Sequence, residues 1–220
     1  MTLPGEVQGA IPSVPGFDSD TIITAVAAHQ FYGAGYKFCL RYVSLMGQES
    51  AQDLSTQEAT NILNSGLALM PVQHVRRQGW LPTLSLGQRY GQDAATNAQN
   101  VGFPDGVNIW CDLEGVSGQA TQQDVIAYCE AWYDAVNTAG YSPGLYVGAG
   151  AQLTGQQLYD LSFQHFWRSQ SQVPDIPTRS YQLIQLLPSI QIQIDGIWID
   201  MDVAQNDKEN GQAQWLRIAT

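Results

Sequence analysis

Val107-Asn-Ile-Trp-Cys-Asp-Leu-Glu114, then Thr121 to Ala139, then Gly144-Leu-Tyr-Val-Gly148 make one unit of an alternating pattern. The first segment is an apolar run of strand length. In the second, Val125, Tyr128, Cys129, Trp132 and Val136 recur at spacings of three and four, which predicts a helix with one buried face. Thr121 is placed to cap it, Asp124 lies in its first turn, and Gly140 ends it. The third segment is again a short apolar run. Strand, helix, strand in this order implies parallel strands joined by a crossover helix.

The same alternation extends in both directions. Upstream, Ser13–Asp18 reads as a first strand, Thr21–Gly33 as a helix with Ile22, Ile23, Val26 and Ala27 on one side, and Tyr36–Val43 as a second strand. Ser55–Ser65 follows as a helix, with Ser55 as N-cap, Glu58 completing a capping box and Gly66 as its stop. Leu67–Val75 is a third strand and Gln88–Val101 a helix. Downstream come a short helix at Gly155–Leu161 and a strand at Phe163–Ser169. The pattern then changes. Tyr181–Leu187, Ile190–Ile194 and Ile197–Met201 are strands with no space for helices between them, and the last two flank Asp195-Gly196, a strong hairpin signal. About eight strands, most of them separated by helices, predict an α/β fold: a single TIM-like (β/α) barrel with a parallel sheet and helix-poor last strands. We assign it to residues 13–203, with 1–12 and 204–220 as short tails.

Composition narrows the function. The 220 residues are 44% apolar and 13% charged, so the surface must rely on Gln, Asn, Ser, Thr and Gly. Nine Lys+Arg against 20 Asp+Glu give a net charge of −11, which argues against nucleic acid and against anionic membrane surfaces. Cys39, Cys111 and Cys129 match no metal or redox spacing and read as small buried hydrophobes. His29, His74 and His165 are scattered, without a metal-binding spacing, so no metal and no cofactor is expected. Met1–Val14 carries neither a basic n-region nor an apolar segment. The expectation is a monomer that is cytoplasmic as made, reaching a cell wall through lysis or a signal-independent route.

Chemistry in such barrels sits at the C-terminal strand ends, and the acids fall there. Asp18 ends the first strand, Asp112 and Glu114 end the fourth, and Asp200 and Asp202 end the last. Asp112 and Glu114 are two apart, so both point to one face of a strand. Two close carboxylates push one proton on and leave the other group ionised, the split that acid/base hydrolysis of a glycosidic bond needs. Taken alone, each acid also reads as a cap or an Arg partner. First and last strands are neighbours in a closed barrel, so together the acids converge on one cleft. Tyr42, Tyr146 and Trp167 lie near the same ends and read either as sugar platforms or as core. Gln185 is a polar residue in an apolar strand and needs a partner if buried.

The order Gly16-Phe17-Asp18, Asp112-Leu113-Glu114, Gly144-Leu145-Tyr146, Phe166-Trp167, Leu183-Ile184-Gln185 and Ile199-Asp200-Met201-Asp202 resembles the lysozyme-type muramidases of glycoside hydrolase family 25. It is more similar still to the related bacterial glycoside hydrolase-like barrel domains of unknown function. The resemblance spans residues 13–203. It implies cleavage of a peptidoglycan-type glycan, with Glu114 as general acid and Asp112 orienting the substrate acetamido group or acting as base. It further implies that Asp18 and Asp200 line the mouth, that Tyr146 reaches the anomeric region, that Trp167 binds a sugar ring, and that Gln185 holds Asp200. Asp202 stands where the muramidases usually have Asn. At this level two readings remain, a hydrolase and a glycan-binding barrel that lacks catalysis.

Overall fold

Eight strands close into a barrel in the computed structural model, which describes residues 2–47, 50–74, 77–186 and 192–219. The strands are β1 (Glu6–Gly9), β2 (Val14–Ser19), β3 (Phe38–Val43), β4 (Ala68–Gln73), β5 (Asn108–Leu113), β6 (Ser142–Val147), β7 (His165–Arg168), β8 (Leu183–Gln185), β9 (Ile192–Ile194), β10 (Ile197–Ala204) and β11 (Gln214–Arg217). The helices are α1 (Ala25–Gly33), α2 (Thr56–Asn64), α3 (Leu84–Val101), α4 (Gln122–Thr138) and α5 (Gly155–Asp160). Around the barrel the order is β2-β3-β4-β5-β6-β7-β8-β10, with β10 pairing back to β2. Each of β2 to β6 is followed by one helix, as the alternation in the sequence requires.

The pairs from β2 to β8 are parallel, but β10 is antiparallel to both β8 and β2. The expectation of a parallel sheet fails at this strand, because a parallel return needs a crossover. Here β10 is entered instead from the β9–β10 hairpin, whose two-residue turn has Asp195 at φ 52° and Gly196 at φ 78°. Those dihedrals are the ones a tight hairpin with the native strand twist demands. Val75, Leu187 and Ile190, expected in strands, lie outside the described residues.

Period-two alternation sorts the side chains into two layers. One set fills the barrel, including Phe38, Leu40, Met70, Trp110, Trp167 and Leu183. The other faces the helices and forms the larger core with Ala28, Phe31, Ile62, Ala94, Cys129 and Trp132. The three cysteines are buried and unpaired. Gly16 and Gly144 face inward because a Cβ at either would strike the rings of Phe38 and Trp110. Two large aromatics therefore fit where the strands carry no side chain.

Three local readings change. Thr24 caps α1, so Thr21–Ile23 lie before the helix; Ile22 and Val26 are exposed while Ala27, Ala28 and Phe31 are buried. Ser55 caps α2 by accepting from the Glu58 N–H, but no capping box forms. The Glu58 carboxylate turns instead to the Arg41 guanidinium, 2.6 Å away, and to the Ile23 N–H at 2.8 Å. Thr83 caps α3, so that helix starts four residues before Gln88.

The segments 1–12 and 204–220, expected as tails, contain β1 and β11, which pair from Glu6↔Arg217 to Gly9↔Gln214. β4 and β5 pair only at Val72↔Trp110 and Gln73↔Cys111, at the C-terminal end of β4 and the middle of β5. Below that, β11 joins β4 at Leu216↔Leu69 and donates its Gln214 N–H to Asn108 of β5. Trp215 turns inward, almost fully buried, with its ring 5.6 Å from that of Phe38. It stoppers the end of the barrel opposite the acids.

Candidate active site

β5 sets the site. Asn108, Trp110 and Asp112 share its inward face, and Glu114, one residue past the strand, keeps the same parity. Space for Glu114 comes from Gly148, where a Cβ would run into the Glu114 side chain. The Glu114 carbonyl is fixed by the Trp80 indole N–H at 2.8 Å. β2 brings Asp18 and β10 brings Asp200, which face each other in register. A cleft of about 310 Å³ opens here, lined by Asp18, Ser19, Asp20, Tyr42, His74, Asp112, Glu114, Trp198, Ile199 and Asp200. Asp18, Asp112, Glu114, Asp200 and Tyr42, expected to converge on one mouth, all line this cleft. Asp200 gets there for a different reason: it sits in the middle of β10, not at its C-terminal end, because the strand runs towards the base.

Asp18 is the hub beneath the cleft. Its carboxylate accepts from Gln185 Nε2 at 2.8 Å and from the Tyr42 hydroxyl at 3.4 Å. The Gln185 Oε1 in turn accepts from the Tyr146 hydroxyl at 3.1 Å and from the Gln170 N–H at 3.2 Å. Gln185 was expected to hold Asp200. It holds Asp18 first, with Asp200 only at 3.5 Å. Tyr42 also stacks on His74, ring centroids 4.7 Å apart, and His74 Nε2 lies 3.2 Å from Asp53 Oδ1.

Three residues expected to contact a sugar do not line the cleft. Trp167 is 1% exposed, packed edge-on against Trp110 and Tyr146, and its indole N–H donates to Asp202 at 2.8 Å. Asp202 is fully buried under Asp18. Tyr146 is buried and turned to Gln185. In each case the side chain lies within the barrel, below the mouth, where a ring or carboxyl is occupied by neighbours. In their place the structure supplies Trp198, half exposed at the rim, and His74. Both had a readable signal: His74 shares parity with the inward Val72, and Trp198 with Asp200.

Burial governs the electrostatics. It raises Asp18 to about 7, with the charge of Asp200 adding to it while Gln185 and Asp202 oppose it. Asp112 is held well above the usual carboxylate range, first by burial and then by the charges of Glu114 and Asp18. Glu114 is raised by burial. Asp200 is raised by burial and by Asp20. Among the described lining residues there is no Lys or Arg to offset these acids. Asp112 Oδ1 is buried and has no donor. Burial thus favours the protonated forms of these carboxyl groups, and the site presents an acceptor without a partner. Among the described residues no group of three or more His, Cys, Asp or Glu is set to hold a metal ion, and no helix is long and apolar enough to cross a membrane.

Comparison with solved structures finds the same fold repeatedly. The Tat-secreted protein Rv2525c of Mycobacterium tuberculosis aligns at 16% identity over 90% of this chain and 98% of its own, with a TM-score of 0.65. A muramidase from Trichobolus zukalii aligns at 13% identity over 87% and 93%, with a TM-score of 0.63. A lysozyme from Streptomyces coelicolor aligns at 13% identity over 89% and 93%, with a TM-score of 0.59. A search of curated protein sequences finds no match. The expectation of a cytoplasmic protein is corrected here by the mycobacterial neighbour, which is itself a Tat-secreted protein. The family model described as Rv2525c-like, glycoside hydrolase-like domain matches residues 29–210, and the chain therefore belongs to that glycoside hydrolase-like family.

Proposed function

We propose that this protein hydrolyses an N-acetylated glycan of the peptidoglycan type, with Glu114 as general acid. The observation that carries the reading is the pairing of half-buried Glu114 with buried Asp112 on one face of the cleft, with Asp112 Oδ1 lacking a donor. A substrate acetamido N–H is the donor that oxygen lacks. Glu114 gives its proton to the leaving glycosidic oxygen as the bond to the anomeric carbon breaks. The acetamido oxygen attacks that carbon, while its N–H donates to Asp112, whose carboxylate compensates the positive charge that develops on the acetamido group. Water then opens the resulting ring, and the Glu114 carboxylate takes the water's proton. Asp18 and Asp200 line the subsite, and Trp198 offers an exposed ring face for sugar stacking. The reading takes the protein as a monomer that engages neither nucleic acid nor membrane, in keeping with its net charge of −11.

The test is a turbidity and muropeptide assay on purified peptidoglycan with wild type and Glu114→Gln side by side. Glu114→Gln is expected to lose about two orders of magnitude or more in turnover, the usual scale of general acid catalysis. Its folding and glycan binding stay intact, because the replacement is isosteric. Wild-type activity in Glu114→Gln removes Glu114 from this role. The exposed Trp198 face would also serve a barrel that only binds. Retention of glycan without cleavage by either form selects that reading.

A further inference from the structure

Asp202 has no access to solvent and no place in the cleft, yet it is built into the barrel with care. Trp167 donates its indole N–H to Asp202 Oδ1 at 2.8 Å. The other oxygen, Oδ2, is buried with no N–H or O–H donor in reach. Its diagonal neighbour across the β10–β2 ladder is Asp18, one inward position higher on the same face, and the two buried carboxyl groups interact directly. Two carboxylates cannot share such a contact unless one of them carries the proton. Asp18 already accepts from Gln185 and Tyr42, so it is the group arranged as the acceptor.

We propose that Asp202 is a positioning residue: it remains a carboxylic acid and donates its O–H to Asp18, which completes a ring of three donors that orients Asp18 at the floor of the cleft and favours its ionised form against burial. Other groups facing this pair are Asp200 on the same strand, Tyr42 on β3, Asp112 and Glu114 on β5, and Tyr146 on β6, none of them a cation. Arg41 is on the opposite face of β3, paired with Glu58. Without a cation, hydrogen-bond donors are what remains to stabilise a buried charge at Asp18. That charge in turn opposes ionisation of Asp112. The proton on Asp202 thus reaches the Asp112–Glu114 pair through Asp18 without touching substrate. Only the activity arm of the test below rests on the glycosidase reading.

The experiment is carboxyl ¹³C NMR titration of the full chain in wild type, Asp202→Asn and Asp202→Leu. The Asp202 signal is identified by its disappearance from the variants. Asp202 is expected to keep its protonated shift through neutral pH while Asp18 titrates. Asn retains a donor, so Asp202→Asn leaves the Asp18 midpoint within about half a unit. Leu has none, and Asp202→Leu raises the midpoint by about one unit or more. In the hydrolysis assay the acid limb of the pH profile moves with the Asp18 midpoint, and Asp202→Leu falls about tenfold while Asp202→Asn stays close to wild type. An ionised Asp202 at neutral pH, or an Asn variant that shifts Asp18 as far as Leu does, overturns the proposal. If Asp202→Leu does not fold, the wild-type and Asn titrations still decide. Absence of hydrolysis in every form counts against the glycosidase reading alone, since the NMR result stands apart from it.

Discussion

Removing the Glu58 carboxylate is expected to destabilise the protein sharply. Arg41 is fully buried on the outer face of β3, and its guanidinium gives Nε–H to Glu58 at 2.6 Å, Nη1–H to the Ser19 carbonyl at 2.6 Å and Nη2–H to the Gln52 carbonyl at 3.1 Å. In Glu58→Ala the cation stays in place with no counter-charge, and the Ile23 N–H loses its acceptor. Breaking a buried pair from one side costs about 3–5 kcal/mol, and an orphaned buried N–H adds about 1 kcal/mol. For a chain of this size each kcal/mol lowers Tm by about 2–4 °C, so a fall of about 8–24 °C is expected. Thermal unfolding followed by circular dichroism and calorimetry reads it directly. Arg41→Met/Glu58→Met serves as the control, because removing both charges leaves neither stranded. It should lose clearly less than the two single changes combined. A Glu58→Ala protein melting within about 2 °C of wild type would refute the reasoning, and would show that water or another group satisfies Arg41.

Trp215→Ala should cost about 3–5 kcal/mol in denaturant unfolding, since the ring is buried inside the barrel; a change below about 1 kcal/mol would mean the C-terminal strand is dispensable. Gly148→Ala should displace Glu114 and cut turnover about tenfold or more, with little loss of secondary structure by circular dichroism. Trp198→Ala should weaken glycan binding several-fold in calorimetric titration and leave Tm within about 2 °C, because the side chain is half exposed. Asp18 has its folded value raised above the unfolded one, so its protonated form favours folding, and that stability is present in acid and lost as pH rises through about 7. Asp18→Asn should therefore raise Tm more at about pH 8 than at about pH 4, as differential scanning fluorimetry across pH would show.

The barrel was legible because its signal is repetitive: apolar runs of strand length alternate with helices whose caps and stops are written in Thr121, Ser55, Gly66 and Gly140. The Asp112–Glu114 pair was legible for the same reason, since parity on a strand needs no tertiary knowledge. What stayed hidden depends on contacts distant in the chain. An inward aromatic at a strand end can be core or platform, and what decides for Trp167 is Asp202, 35 residues away. The partner of Glu58 is 17 residues upstream, on a strand. The sequence at Gln214–Arg217 is too short to announce a strand that fills a gap between β4 and β5. His74 and Trp198 share strand parity with inward residues, but parity alone does not separate a rim side chain from a core one.

The reversed direction of β10 has a consequence for how this cleft can vary. Every parallel strand stops at the mouth and hands over to a loop, so a change there rebuilds the loop. β10 arrives from above, and its upper part, Ile197–Ile199, stands with β9 as a ribbon beyond the level where Asp200 meets Asp18. Residues inserted in matched pairs beside Asp195-Gly196 would lengthen that ribbon and keep the inward and outward faces below unchanged. Two residues added to each strand would raise the wall by about 7 Å. The height of one side of the cleft is thus an independent variable of this architecture, adjustable without disturbing the carboxyl groups at its floor.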